Sequence, residues 1–583
     1  MFSVLQKLGW FFRMNWPRYT TAITLLFLAG LLEVIPPWLI GYTIDGIHLG
    51  TIGDQQFLQI VIGWAAIGVV GYLVTYIWFY QLFGGAFVLE RLLRSRLMRH
   101  LLKMTPTFYE RNRTGDLMAR ATNDLKAVAQ TAGFGILTLV DSTLFMLTII
   151  VFMASTISLK LTLAALLPLP IMALVLQYFG KKIHERFMDA QNEFGSLNDE
   201  VLEAVAGVRV IRAFVQEDAS LGRFKGRTGS VYRKNIAVAQ IEALFEPTMK
   251  ILVGISYLIG LCYGGYLVAR SELTLGELVS FNIFLGMLIW PMIAIGELIN
   301  IMQRGNASLD RVTETLNYKE DVADTAEGFV SEDQPSSIAF NAVSFRYPSA
   351  VSNNLTNVNF HLHQGKTLGV VGRTGSGKTT LLKQLLREYP LGTGEIAVSG
   401  VPLQGMPKEQ LLGWIGYVPQ QPILFSKSIR DNIFFGLEQG TEEDLQRALE
   451  RASFAKDIQF LPDGLDTMVG EKGVALSGGQ KQRVSIARAL IANPQILLLD
   501  DALSAVDGKT EAEIIEGIRT ERAGKTTIIT THRLSAVQHA DWILVLDEGR
   551  VVQEGTHEQL LAQNGWYREQ YDRQQLEAVI ESE

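Results

Sequence analysis

The sequence predicts two unlike parts: a helical membrane domain of six spans with long cytoplasmic helical extensions, then an α/β domain built on a phosphate-binding loop. Three observations carry this reading. Apolar stretches long enough to cross a bilayer end near Asn300. The charge changes sign close by, with 27 Lys+Arg against 23 Asp+Glu in residues 1–318 and 25 against 36 in 319–583. A short apolar strand, Thr367–Val371, runs into Gly372-Arg373-Thr374-Gly375-Ser376-Gly377-Lys378-Thr379-Thr380. At 583 residues the chain exceeds one core, which stops growing near ~250–300 residues. Its net charge of −7 argues against a nucleic-acid partner held by global positive charge. The single cysteine, Cys262, excludes an internal disulfide and a cysteine-based metal site.

Six stretches meet the length of about 20 apolar residues that a spanning helix needs. They lie near Tyr19–Ile40, Phe57–Phe79, Phe134–Ser155, Leu161–Tyr178, Thr248–Val268 and Leu275–Met302. The third and fourth are parted by a few residues around Ser158 and Lys160, which predicts a tight hairpin. Basic residues crowd two of the intervening segments, from Arg91 to Lys126 and from Lys181 to Lys234, and are nearly absent from the others. By the positive-inside rule both termini face the cytoplasm, in a multi-pass protein of a bacterial cytoplasmic membrane. Phe2, Leu5, Leu8, Phe12 and Trp16 recur at helical spacing, which predicts a helix lying in the lipid interface. A cleaved signal peptide is the competing reading, and no small-residue cleavage site comes after it. The two basic segments are far too long for turns, so the membrane helices are expected to extend into the cytoplasm and return. Their tips fall near Phe108–Leu117 and Glu203–Phe214; a solvated helical hairpin is the plainer alternative.

Few ionisable residues lie inside the spans, among them Glu33 in the first and Asp141 early in the third. A charge in lipid is costly, so each must face the bundle or a cavity. They are candidates for recognising a cationic substrate, against an internally hydrogen-bonded carboxyl.

An acidic stretch at 319–336, with Glu320, Asp321, Asp324, Glu327, Glu332 and Asp333, separates the membrane domain from a second domain over 337–575; 576–583 form a tail. The strand–loop–helix context makes the glycine run a P-loop. Its glycines let backbone N–H groups close on phosphate oxygens, and the next helix aims its positive end at them. Thr374, Gly375, Ser376, Gly377, Lys378, Thr379 and Thr380 are thus the nucleotide-binding candidates. Lys378 reaches the β- and γ-phosphates and the Thr379 hydroxyl ligates Mg²⁺. Ile496-Leu497-Leu498-Leu499-Asp500 reads as a buried parallel strand whose terminal Asp500 holds the same Mg²⁺.

Between these lies Leu476-Ser477-Gly478-Gly479-Gln480, leading into a helix. With that run the chain resembles the ABC transporters, in particular exporter-type half-transporters with six spans and one nucleotide-binding domain that includes a helical subdomain. The resemblance covers essentially the whole chain. It implies that Tyr347 stacks on adenine, that Gln420 (Val418-Pro419-Gln420) is the Q-loop glutamine and a Mg²⁺ contact, and that His532 is the switch histidine. It makes Ser504-Ala505-Val506-Asp507 the D-loop and Thr467–Gly473 a loop that meets the partner's coupling helix. ATP and Mg²⁺ are the expected cofactors. Membrane lipid, small amphipathic substrates and a second half-transporter are the expected partners.

One position departs from the family pattern. The glutamate expected after Asp500 to orient the attacking water is Asp501. Aspartate is shorter by one C–C bond, about 1.5 Å, and a misplacement near 1 Å costs on the order of 10²-fold in rate. In this family each site pairs one chain's P-loop with the other's Leu476–Gln480 equivalent. The expectation is a heterodimer whose partner carries the glutamate; a homodimer in which Asp501 suffices, with His532 retained, is the alternative. The function implied is ATP-driven efflux of amphipathic, often cationic, drugs. A lipid flippase or peptide exporter, or an ATP-gated channel or regulator, are the other readings.

Overall fold

The computed structural model describes residues 3–322, 324, 334–437, 439–470, 474 and 476–582; the side chains of 169, 170, 173, 176, 177 and 578–582 lie outside that description. The chain divides into two compact units, Met1–Leu102 with Thr114–Tyr318, and Lys103–Arg113 with Lys319–Glu583. Of the acidic stretch, residues 323 and 325–333 fall outside the described set, as do Glu471, Lys472 and Gly473 of the predicted partner-facing loop.

The first unit is all helical. Among the described residues five helical stretches are long and apolar enough to cross a membrane: Trp16–His48, Asp54–Leu101, Thr114–Leu166, Glu217–Ala269 and Leu275–Leu316. They contain five of the six predicted spans. The remaining one, Leu161–Tyr178, falls on Leu159–Leu166 and the first turns of Pro168–Ala206, helical but interrupted at Leu167 before Pro168. The predicted hairpin turn is local chemistry: Ser158 is extended (φ −164°) and its hydroxyl accepts from the Leu161 N–H, capping the helix that starts there.

The N-terminal segment expected to lie in the lipid interface is helical, with Phe2 of its apolar stripe outside the described residues. It forms two short helices, Ser3–Lys7 and Gly9–Met14, whose Val4, Leu8 and Phe11 are buried in the core of the membrane unit with Tyr19, Met302 and Leu309. Leu5 and Phe12 are only partly covered there, and Trp16 stays exposed. Lys7 donates to Asn306 (2.9 Å).

The second unit holds two sheets. One has six strands in the order Arg550–Gly555, Trp542–Asp547, Thr367–Gly372, Thr526–Thr531, Ile496–Asp500, Ile415–Val418, parallel except at the first pair. Its central strands are buried on both faces, as continuous apolar runs require. The other is antiparallel, ordered Leu355–His363, Ser337–Phe345, Thr393–Val398, Val401–Pro402. The tail predicted from 576 is not separate: Trp566–Ser582 is one helix.

Candidate functional site: a nucleotide cavity

The P-loop leaves the C-terminal end of Thr367–Gly372, the central strand, and enters the helix Lys378–Leu385. Gly377 caps that helix with φ +103°, and a Cβ there would stand 2.7 Å from the Asn354 carbonyl. Only glycine fits both demands. Lys378 Nζ donates to the carbonyls of Gly372 (2.8 Å) and Arg373 (2.9 Å), folding over its own loop. Burial lowers its pKa, against the pull of Asp501 and Asp500.

Asp500 ends the strand Ile496–Asp500 and is fully buried. It accepts from Thr379 Oγ1 (2.9 Å), Thr530 Oγ1 (2.7 Å) and Tyr417 Oη (3.4 Å). Asp501, the next residue, turns into the left-handed region (φ 47°), a conformation aspartate tolerates better than most side chains. Its carboxylate meets His532 Nδ1 at 3.0 Å and accepts from Gln420 Nε2 at 3.4 Å. Burial pushes the Asp501 pKa up, but His532, Lys378 and Gln420 outweigh it and hold the carboxyl below its ordinary value. The same contact raises His532. Burial pushes up the phenols of Tyr347 and Tyr417.

Tyr347, Thr374, Gly375, Ser376, Gly377, Lys378, Thr379, Thr380, Gln420, Asp500, Asp501 and His532 all line one cavity of about 300 Å³, together with Asn354. Every candidate nucleotide, metal and catalytic residue is therefore brought together. Ser376 is buried and its Oγ has no partner within the protein, a donor left for a phosphate oxygen. The oxygen donors Thr379, Gln420 and Asp500 suit a hard cation such as Mg²⁺.

Leu476–Gln480 stands off that cavity, beside the D-loop. Ser477 Oγ accepts from Gln480 N–H (3.2 Å) while Gln480 Oε1 accepts from Ser477 N–H (3.0 Å), a capping box that starts the helix Gly478–Ile491. A Cβ on Gly479 would lie 2.8 Å from the Ala505 carbonyl. Gln482, one turn on, bridges to the D-loop by accepting from Ala505 N–H (2.9 Å) and donating to Ser504 Oγ (3.1 Å). Arg533 donates to the carbonyls of Ser504 and Val506 (both 3.0 Å), and Asp507 accepts from Thr510 N–H.

Sequence reasoning missed several members. Tyr417, Thr530, Gln482 and Arg533 also serve the predicted residues; Tyr417, Gln482 and Arg533 lie within a few residues of Gln420, Gln480 and His532, whereas Thr530 acts from a separate strand. The first predicted tip belongs with this unit. Pro106–Arg111 is a short helix whose Glu110 accepts from the Tyr389 hydroxyl, and Tyr389 packs edge-on against Tyr347 (centroids 4.9 Å apart). The second tip carries Val208–Ala213, a helix with no buried residue. Glu33 and Asp141 lie elsewhere, lining a cavity of the membrane unit.

Comparison with known proteins agrees with this geometry. Residues 19–292 match the model of the ABC transporter transmembrane region and residues 355–504 that of the ABC transporter. The chain is 60% identical over 576 residues, 99% of itself and 98% of the relative, to a protein of Bacillus subtilis (strain 168) named as the probable multidrug resistance ABC transporter ATP-binding/permease protein YheI. It is 42% identical over 575 residues, 99% of itself and 97% of the relative, to the multidrug resistance-like ATP-binding protein MdlA of Escherichia coli (strain K12). A solved structure of a bacterial Atm1-family ABC exporter with ATP bound superposes with TM-score 0.78 at 25% identity, covering 96% of this chain and 98% of that one. The chain belongs to the ABC transporters, as a multi-pass membrane exporter half whose ATPase domain couples hydrolysis to transport.

Proposed function

We propose that the chain is one half of a heterodimeric drug exporter, and that its own P-loop site binds ATP while hydrolysing it slowly. The observation that carries this is Asp501. It stands where the attacking water must be oriented, one bond short of a glutamate's reach. Its carboxylate is already engaged by His532 and Gln420 and held below its ordinary pKa, so it is also a weaker base. The Leu476–Gln480 segment, which does not line this cavity, completes the site of a non-identical partner that carries the glutamate, and turnover runs mainly there. In the opening Met1-Phe2-Ser3-Val4-Leu5 and over its length the chain resembles BmrC, a subunit of the heterodimeric bacterial multidrug exporter BmrCD.

Within this chain's cavity, Ser376 and the P-loop amides hold the phosphates, Lys378 swings from its own loop carbonyls onto the β- and γ-oxygens, and Tyr347 takes the adenine face. Thr379, Gln420 and Asp500 would hold Mg²⁺, which would supply positive charge against the phosphates. The cargo is an amphipathic, often cationic, drug, supported by the multidrug resistance in the relatives' names and by Glu33 and Asp141 among the spans.

The test is vanadate-sensitive ATPase activity of the chain purified alone in lipid, then with a glutamate-bearing partner. Negligible turnover alone and recovery with the partner is the expected result. Robust turnover alone would replace the heterodimer by a homodimer in which Asp501 suffices.

A further inference from the structure

His532-Arg533-Leu534 continues the strand Thr526–Thr531 past the point where its sheet ends. Pairing with the two neighbouring strands stops at Thr530 and Thr531, so the next backbone groups need partners from elsewhere. A side chain supplies them. Gln574 Nε2 donates to the His532 carbonyl (2.8 Å), and its Oε1 accepts from the Leu534 N–H (2.9 Å). One carboxamide thus brackets Arg533 with a donor and an acceptor, as a residue of a neighbouring strand would.

Gln574 is carried on an anchored helix, Trp566–Ser582. Two turns before it Tyr567 is fully buried, with its hydroxyl 2.7 Å from His557 Nδ1 and its N–H donating to Gln553 Oε1 (3.2 Å). Tyr571, one turn on, packs against the core of the same unit. Residues 567, 571 and 574 share one helix face, so fixing the first two places the third. The segment that Gln574 grips has two other commitments. Arg533 donates to the D-loop carbonyls of Ser504 and Val506 and to Glu511 (2.9 Å). His532 Nδ1 meets Asp501 at 3.0 Å, while its ring is half exposed, so where the imidazole stands follows largely from its backbone. His532 and Lys378 line the same cavity, and the lysine serves the β- and γ-phosphates. The imidazole therefore addresses the terminal phosphate rather than the base.

We propose that Gln574 is a positioning residue of the ATPase site: by clamping the backbone on both sides of Arg533, it sets where the His532 imidazole meets the terminal phosphate of ATP. It acts through His532 and does not itself line the nucleotide cavity. The inference holds whether the partner subunit is identical or not.

The test reads nucleotide preference at this chain's own site by binding, so it needs no turnover. The transporter, assembled with the full-length chain in lipid nanodiscs, is photolabelled on ice with radioactive 8-azido-ATP and Mg²⁺. Displacement of label from this chain by ATP and by ADP gives the ratio of the two affinities. The wild-type site is expected to prefer ATP, and His532→Gln to lower that preference by about tenfold, the size of one hydrogen bond to a charged group. Gln574→Met keeps length and helix propensity but removes both bonds. It should lower the preference several-fold with ADP affinity unchanged, and add nothing in the His532→Gln background. Gln570→Met, one turn earlier on the same helix, should keep the wild-type ratio. Unchanged ADP affinity shows that the variants fold. Equal losses for ATP and ADP, losses that multiply in the double variant, or a wild-type ratio in Gln574→Met would overturn the proposal. Such a failure leaves the heterodimer reading standing, because that one is read from turnover.

Discussion

In the ATPase unit Asp500 and Asp501 are consecutive residues, and every carboxylate oxygen has a protein partner: Thr379, Thr530 and Tyr417 for the first, His532 and Gln420 for the second. In the membrane unit Glu33 and Asp141 come from two helical stretches, and among the described residues the hydrogen bond that addresses them is the one from Trp290 to Asp141. The first pair is balanced by the fold itself, with Lys378 on the same cavity. The second is not. A finished acid pair resists change and sets the geometry of one reaction, whereas an unfinished pair gains most when something from outside completes it.

The largest expected effect sharpens the finished side. Asp501→Glu supplies the missing bond length, so the transporter assembled with a partner whose own glutamate is replaced by glutamine should gain vanadate-sensitive ATPase activity by up to ~10²-fold. Glutamate bears the left-handed backbone of position 501 less well than aspartate, so a small fall in melting temperature should accompany the gain. An unchanged rate would mean that reach is not what limits this site, and the contrast with a glutamate-bearing partner would lose its basis.

A smaller effect probes how complete the Asp500 shell is. Thr530→Val keeps the shape and removes the 2.7 Å hydrogen bond to a fully buried carboxylate. It should cost about 1–3 kcal/mol, read as a lower melting temperature of the ATPase unit. A null result would show that Thr379 and Tyr417 already suffice, and that the balance is looser than its geometry.

Legibility in the sequence divides along the same line. The P-loop chemistry is carried by nine contiguous residues in a strand–loop–helix, so spacing points to it before the other motifs join, and Ser376, Lys378 and Thr379 line one cavity. Gln420 and His532 are single polar residues that mean nothing by spacing; only resemblance to the family singles them out. Thr530 and Tyr417 are invisible in the sequence because their role depends on parallel register, Asp500 beside Thr530 and Tyr417 beside Leu498, which local pattern does not encode. In the membrane unit apolar length locates the spans, but not their rotation. A π-type turn adds one residue to the helical ring and rotates the rest of the helix by about 100°. The turn at Asp141 is one reason that no periodicity could place it beside Glu33. The N-terminal helix shows the same limit. Its apolar stripe is plain in sequence, yet whether lipid or protein covers it is a question of packing.

The smallest effect tests the balance within the finished pair through pH. Asp501 is held below its ordinary pKa, so its share of stability is present above the unfolded value of about 3.9 and is lost only as acid approaches its lower folded value. His532 is raised, so its share is present in full below about 6.5 and is lost as pH rises through the raised folded value. From about pH 6 to about pH 9 only the histidine changes state. The melting-temperature gap between the wild-type chain and His532→Gln should therefore be widest at the acid end of that window and close toward the alkaline end. The His532 side chain is half exposed, which limits the stake to less than about 1 kcal/mol, or a few degrees. A gap that widened with pH would mean that neutral His532 is the form the fold prefers. Asp501 would then be balanced by Lys378 and Gln420 instead, and the two acid pairs of this chain would differ by one cation rather than by a completed network.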